Sequence, residues 1–289
     1  MAAIGIIGGS GLYDLPGLRG VENIKISTPF GDPSDDYVRG RLGETELVFL
    51  PRHGRGHRLL PTEVNYRANV FGMKVLGVEQ LLGVGAVGSL REEIHPGELA
   101  VPDQLIDRTR QRASTFFGRG IVAHVAFADP FCRRLGREVV AVGRAAGATI
   151  HEGGTYVCME GPQFSTRAES HLYRSWGGSV IGMTNLQEAK LAREAEICFA
   201  TLALVTDYDC WREHDADVSI EDILRIMGEN VDTARRVIAS LADRLTGERS
   251  CACGQALQSA IITDPARIPE QTKRDLAPIV GKYLGGSST

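Results

Sequence analysis

Ile197-Cys198-Phe199-Ala200-Thr201-Leu202-Ala203-Leu204-Val205 is an almost unbroken apolar run, and Thr206-Asp207-Tyr208-Asp209 follows it directly. The run has no alternation of apolar and polar residues, so a strand made from it has both faces buried. It falls far short of the ~20 apolar residues that span a bilayer. A strand buried on both faces needs helices above and below its sheet, which is the arrangement of an α/β fold.

The neighbouring sequence fits that frame. Ile4–Ile7, Leu47–Leu50, Leu81–Val84, Leu99–Val101, Tyr156–Met159 and Val180–Met183 read as further short strands. Helices are predicted between them at Val64–Leu76, Pro130–Ala146, Ser165–Trp176 and Leu186–Glu196. A long helix begins near Ser219, with Asp222 in capping-box position. Ile220, Ile223, Leu224, Met227, Val231, Ala234 and Ile238 keep its 3.6-residue period, and it ends near Gly247. A short helix follows around Pro269–Leu276, and Gly285–Thr289 reads as a frayed tail. The expectation is one α/β domain over residues 1–289, with a central sheet flanked by helices.

Composition narrows the function. The chain of 289 residues is 43% hydrophobic and 24% charged, the balance of a folded protein. Its net charge of −4, with both signs mixed along the chain, does not suit nucleic-acid binding. An anionic ligand must then be held by local groups. The N-terminus lacks a basic n-region and a long apolar h-region, so a cytoplasmic location is expected. Cys132, Cys158, Cys198, Cys210, Cys251 and Cys253 do not have zinc-motif spacing. They are expected to be buried, reduced thiols, with Cys251-Ala252-Cys253 left as a redox pair or part of a bridge.

Four loops carry the candidate chemistry. Gly8-Gly9-Ser10-Gly11 follows the first strand, where glycines bring backbone N–H groups near an anion and Ser10 adds a hydroxyl. The third glycine of a dinucleotide fingerprint is missing. Arg52 and His53 follow the second strand, at the carboxyl edge where α/β sheets bind ligands, and a guanidinium fork suits phosphate. Gly85-Ala86-Val87-Gly88 allows close backbone approach. Asp207 and Asp209, two apart on an extended strand, point the same way and can face one polar heterocycle. There is neither an H-E-x-x-H nor a G-x-S-x-G pattern, so neither a metal constellation nor a Ser nucleophile elbow is expected. These residues alone leave open a phosphate- or nucleoside-binding α/β protein.

Several longer stretches go further. Ile6-Ile7-Gly8-Gly9-Ser10-Gly11-Leu12, Thr28-Pro29-Phe30-Gly31, Arg52-His53-Gly54 and Val64-Asn65-Tyr66-Arg67-Ala68-Asn69 stand in order. Gly88-Ser89-Leu90-Arg91-Glu92-Glu93, Asp103-Gln104-Leu105-Ile106-Asp107-Arg108-Thr109, Glu160-Gly161-Pro162-Gln163-Phe164-Ser165-Thr166-Arg167-Ala168-Glu169 and Thr206-Asp207-Tyr208-Asp209-Cys210-Trp211 continue the series. In this ordered set the chain resembles the trimeric purine nucleoside phosphorylases, and among them the 5′-methylthioadenosine phosphorylases, from Ile4 to about residue 245.

The resemblance implies a mixed central sheet, a homotrimer, and phosphorolysis of 5′-methylthioadenosine to adenine and 5-methylthioribose 1-phosphate in methionine and purine salvage. Inorganic phosphate would be a co-substrate, and no cofactor would be needed. By matching positions, phosphate would contact Ser10, Arg52, His53, Ala86 and Thr184. Gly85 departs from the family, which commonly has a hydroxyl residue there. The sugar would lie on Met183 and the purine on Phe164, with Ser165 close to the base and Asp207 and Asp209 at its N7 and 6-amino edge. Val218, Ile220, Ile223 and Leu224 would enclose the 5′-methylthio group, and His124 would come from a neighbouring subunit. Relatives acting on 6-oxopurines have Asn at the position of Asp207. An ionised carboxylate accepts from a 6-amino group and cannot donate to a 6-oxo group, so Asp207 favours adenine. The alternatives are a phosphorylase that also takes inosine or methylthioinosine, a non-catalytic nucleoside-binding protein, and a Rossmann-type oxidoreductase.

Overall fold

The computed structural model describes residues 3–212, 220–245 and 249–284. Its strands are β1 (Ala3–Gly8), β2 (Arg19–Ile24), β3 (Tyr37–Leu42), β4 (Thr45–Pro51), β5 (Val78–Ser89), β6 (Leu99–Val101), β7 (Gln104–Arg108), β8 (Ile150–Glu152), β9 (Thr155–Met159), β10 (Gly178–Gly182) and β11 (Cys198–Asp207). The helices are α1 (Tyr66–Val75), α2 (Arg133–Ala145), α3 (Arg167–Ser175), α4 (Asn185–Glu194), α5 (Ile220–Arg244), α6 (Glu270–Asp275) and α7 (Ala277–Val280). Among the described residues no helix is long and apolar enough to cross a membrane.

All strands join one mixed sheet, in the order β2-β3-β4-β1-β5-β10-β9-β7, with β11, β6 and β8 branching from β5. β4, β1, β5 and β11 run parallel, so the loops after them open on one edge. The apolar strands do bury both faces. Leu47 and Phe49 of β4 pack with Val139 of α2 and Val237 of α5 on one side. Val48 and Leu50, one residue out of phase, pack with Val70 of α1 and Leu191 of α4 on the other. The strands that the sequence pattern does not reveal are β2, β3, β7 and β8. Every residue of β2 but Ile24 is exposed, so it has no apolar stripe to betray it.

β5 is the axis of the site. Its pairing with β1 ends at Gly83, and its antiparallel pairing with β10 covers only Gly88 and Ser89. On that edge Val84 to Val87 have no strand partner, and a hollow opens beside them. β10 runs back along β5, which carries the following Met183 and Thr184 toward the same hollow. Helix entries are locally encoded. Thr166 and Glu169 form a capping box at the start of α3, and Asn65 caps α1 through the Ala68 N–H. The expected cap Ser219, the expected α5 end near Gly247 and the tail Gly285–Thr289 lie outside the described residues.

Candidate active site

A cavity of about 500 Å³ occupies this hollow. Its wall brings together Gly8, Gly9, Arg52, His53, Gly85, Ala86, Phe164, Met183, Thr184, Asp207 and Asp209, which the sequence scatters over the chain. Ser10 opens the 3-10 turn after β1, and its side chain lies outside the described residues. Thr184 stands before α4 with its hydroxyl unused as a cap. Phe164 is 53% exposed at the cavity, a large apolar ring without a cover.

Arg52 is buried and held from three sides. Its Nε donates to Glu188 Oε1 at 2.5 Å and Nη2 to Glu188 Oε2 at 2.9 Å, while Nη1 donates to Val84 O and Nη2 to Ile7 O. The Val84 carbonyl is accessible because β5 has no strand partner on that edge, its other edge being paired with β11. A guanidinium has five N–H groups, and these contacts leave one on Nη1 for a ligand. The fork expected to grip phosphate is therefore committed mainly to Glu188. Arg52 acts as a fixed cation with one free donor, not as a bidentate clamp. Burying both charges is costly, and only their mutual pairing makes it tolerable.

His53 is held in one tautomer. Its Nδ1 lies 2.8 Å from the Leu59 carbonyl, which can only accept, so Nδ1 carries the proton. The pKa is pushed down to about 4 by burial, with the Arg52 charge adding to the effect. The ring is then neutral near pH 7, and its Nε2 is an acceptor. As an acceptor it suits a ligand group that carries a proton.

The acidic turn faces the cavity by another route than the expected one. β11 ends at Asp207, with a register shift between Val205 and Asp207 against Gly88. Asp209 has a positive φ of 52°, so extended geometry does not persist and the two-residue rule does not apply. Instead the turn folds back: Asp207 Oδ1 accepts the Asp209 N–H at 2.7 Å, and Oδ2 accepts the Thr206 hydroxyl at 2.7 Å. Gly88 permits this, since a Cβ there would lie 2.8 Å from Asp207 Oδ1. Burial raises the pKa of Asp207, partly offset by these two donors. Burial likewise raises that of Asp209, whose Oδ2 is buried without a hydrogen-bond partner among the described residues.

Other expected residues fall elsewhere. Ser165 lies beside the Asp209 carboxyl but does not line the cavity. Leu224 is 65% exposed and does not line it either; Met227, nearly one turn further along α5, does. A helix presents residues three apart on neighbouring directions, and the turn that faces inward is set by the packing of α5 on β11. Val218 lies outside the described residues, as do the side chains of Ile220 and Ile223. His124 is exposed and away from the cavity of its own chain.

Two supporting residues escaped the sequence reading. Glu188 sits on the buried face of α4 with Leu191, Ala192 and Ala195. A carboxylate on an apolar stripe was the signal that could have found it. Arg112 had no local signal: it donates to the carbonyls of Met183 and Glu160, which are 71 and 48 residues away. It thereby fixes two walls of the cavity.

Residues 3–243 match the model of the phosphorylase superfamily. The chain belongs to that family. It is 60% identical over 282 residues to the S-methyl-5′-thioadenosine phosphorylase of Geobacter sulfurreducens, covering 97% of this chain and 99% of that one. Among solved structures, a methylthioadenosine phosphorylase from an Antarctic soil metagenomic library superposes with a TM-score of 0.93 at 48% identity, over 96% of this chain and 98% of that one. The Schistosoma mansoni methylthioadenosine phosphorylase in complex with adenine gives 0.84 at 35%, over 90% and 97%. This phosphorylase therefore shares its mixed sheet and flanking helices with enzymes of one named activity.

Proposed function

We propose that this phosphorylase splits 5′-methylthioadenosine with inorganic phosphate, releasing adenine and 5-methylthioribose 1-phosphate. The observation that carries the reading is one cavity lined both by Arg52 with the Gly8-Gly9 and Gly85-Ala86 backbone and by the buried Asp207-Asp209 turn. A nucleoside can touch both sets of groups at once, and the names of the relatives supply the substrate.

Phosphate sits by the free Nη1 donor of Arg52, the glycine backbone, Thr184 and Ser10, with His53 as acceptor. Its oxygen attacks the anomeric carbon of the ribosyl group as the C–N bond to the purine breaks. The bonding electrons pass into the purine, and Asp207, whose pKa is raised by burial, gives its proton to N7. Asp209, the second carboxyl at the cavity wall, accepts from the 6-amino group. Phe164 covers the base, Met183 the sugar, and Met227 the 5′ substituent. Holding phosphate and nucleoside in one enclosure supplies much of the rate.

A homotrimer in the cytoplasm completes the proposal, with His124 of one subunit reaching the 5′ end of the nucleoside in the next. Its exposure, away from its own cavity, supports this. The deciding experiment follows adenine release from methylthioadenosine with and without phosphate. Release only with phosphate is expected. Binding without release identifies a sensor and refutes the proposal. Light scattering tests the trimer.

A further inference from the structure

At the end of β11 remote from Asp207, four cysteines converge. Cys198 is the first residue of the strand, Cys132 stands just before α2, and Cys251 and Cys253 lie at the 3-10 turn Ala252–Gln255. Their sulfurs all lie within 4.8 Å of one another, with 3.3 Å between Cys198 and Cys251 and 3.8 Å between Cys132 and Cys251. The linear spacing had argued against a zinc site. Motif spacing describes ligands on one local knuckle, whereas here Cys251 stands 119 residues from Cys132 and 53 from Cys198. Tertiary folding supplied the proximity.

We propose that these four cysteines form a structural zinc site. Zinc bound by four thiolates has Zn–S bonds of about 2.3 Å in a tetrahedron, whose edges are then about 3.8 Å. The observed separations bracket that edge. Cys132, Cys198 and Cys253 are buried and Cys251 is half-buried, so the cage excludes most water. Cys132 occupies the N-terminus of α2, where the helix favours a thiolate. Arg134 reaches Cys251 and Cys198 and would balance the negative charge of four thiolates around a dication.

The cage is rigidly placed. The Cys132 N–H donates to Phe199 O at 2.7 Å, and Arg249 donates to Glu196 O at 2.9 Å just before the Cys-Ala-Cys turn. As each Zn–S bond forms, the thiol releases its proton, so up to four protons leave and no oxidant is needed. The length of β11 puts the ion roughly 30 Å from the acidic turn. It pins the segment after α5 onto β11 and α2 and takes no part in phosphorolysis.

The test uses the full chain, purified without a metal-binding tag under thiol and given Zn²⁺ alone, then dialysed. Elemental analysis should find about one zinc per chain, released by a mercurial together with four titratable thiols. Loading with Co²⁺ should give the intense visible bands of tetrahedral thiolate coordination. Cys251→Ser and Cys253→Ser should lose the ion and lower Tm while keeping kcat/KM for methylthioadenosine at moderate temperature. If neither variant folds, the wild-type measurements still decide. No retained zinc with four free thiols overturns the proposal. So do two disulfides, seen as four thiols that react only after reduction, with no metal bound.

Discussion

The substitution that most directly tests the chemistry is Asp207→Asn. Each carboxylate oxygen of Asp207 accepts one internal hydrogen bond, from the Asp209 N–H and the Thr206 hydroxyl. An asparagine keeps the first through its amide oxygen. Its amide nitrogen cannot accept from Thr206, but that hydroxyl has Val87 O at 3.3 Å as a second acceptor. Once the hydroxyl turns, its oxygen accepts from the new amide. Every polar group is then satisfied, and removing a buried charge offsets what a charged hydrogen bond contributed. The fold should change by no more than about 1 kcal/mol. Catalysis loses its proton donor, an effect of ~10²–10⁴ in rate, or about 3–5.5 kcal/mol in the barrier. An amide N–H beside position 6 of the base favours a 6-oxo acceptor over a 6-amino donor, so 6-oxo substrates should gain relative to 6-amino ones. The assay is kcat/KM for methylthioadenosine, adenosine, methylthioinosine and inosine side by side, with Tm as the control. In the parent enzyme kcat should fall as pH rises through the raised pKa of Asp207, because the donor must be protonated. Unchanged kinetics for both base classes, at an unchanged Tm, would refute the role given to this carboxyl.

Other outcomes follow from neighbouring contacts. Gly85→Ser should fold normally, since its Cβ meets nothing closer than Arg52 Nη1 at 3.4 Å. The added hydroxyl can contribute about 1.5–3 kcal/mol to a charged acceptor, so the phosphate KM should fall severalfold or more; a constant KM means another donor already acts there. Glu188→Ala leaves the buried Arg52 unpaired and should cost about 3–5 kcal/mol in denaturant unfolding. Phosphate should raise the Tm of that variant more than that of the parent, and equal shifts would show that Arg52 does not face the anion. Glu194 has its pKa raised to about 7 by burial, above its ordinary 4.5. Its contribution to stability is complete below the unfolded value and is lost as pH rises through the folded one. Glu194→Gln should therefore raise Tm at about pH 8 and leave it nearly unchanged near pH 4; the same difference at both would remove the carboxyl as its cause.

The amino-acid sequence specifies the sheet's apolar strands, because a strand such as β11 that is buried on both faces is apolar at nearly every step. It determined the helices whose caps are local, such as α3 with Thr166 and Glu169. It also placed the glycine-rich and acidic loops at strand ends, because chain direction in a parallel sheet puts those ends on one edge. What each side chain does there follows from contacts between elements distant in the chain. Arg52 meets Glu188 across 136 residues, and that contact turns an expected clamp into a fixed cation with one free donor. The hollow beside Gly85 exists because β1 stops pairing before β10 begins, a property of three strands together. The backward fold of Asp209 depends on Gly88 of another strand, and the four sulfurs meet only when α2, β11 and the Cys-Ala-Cys turn pack. Periodicity records which face of an element is buried. It carries no record of which distant partner waits on that face.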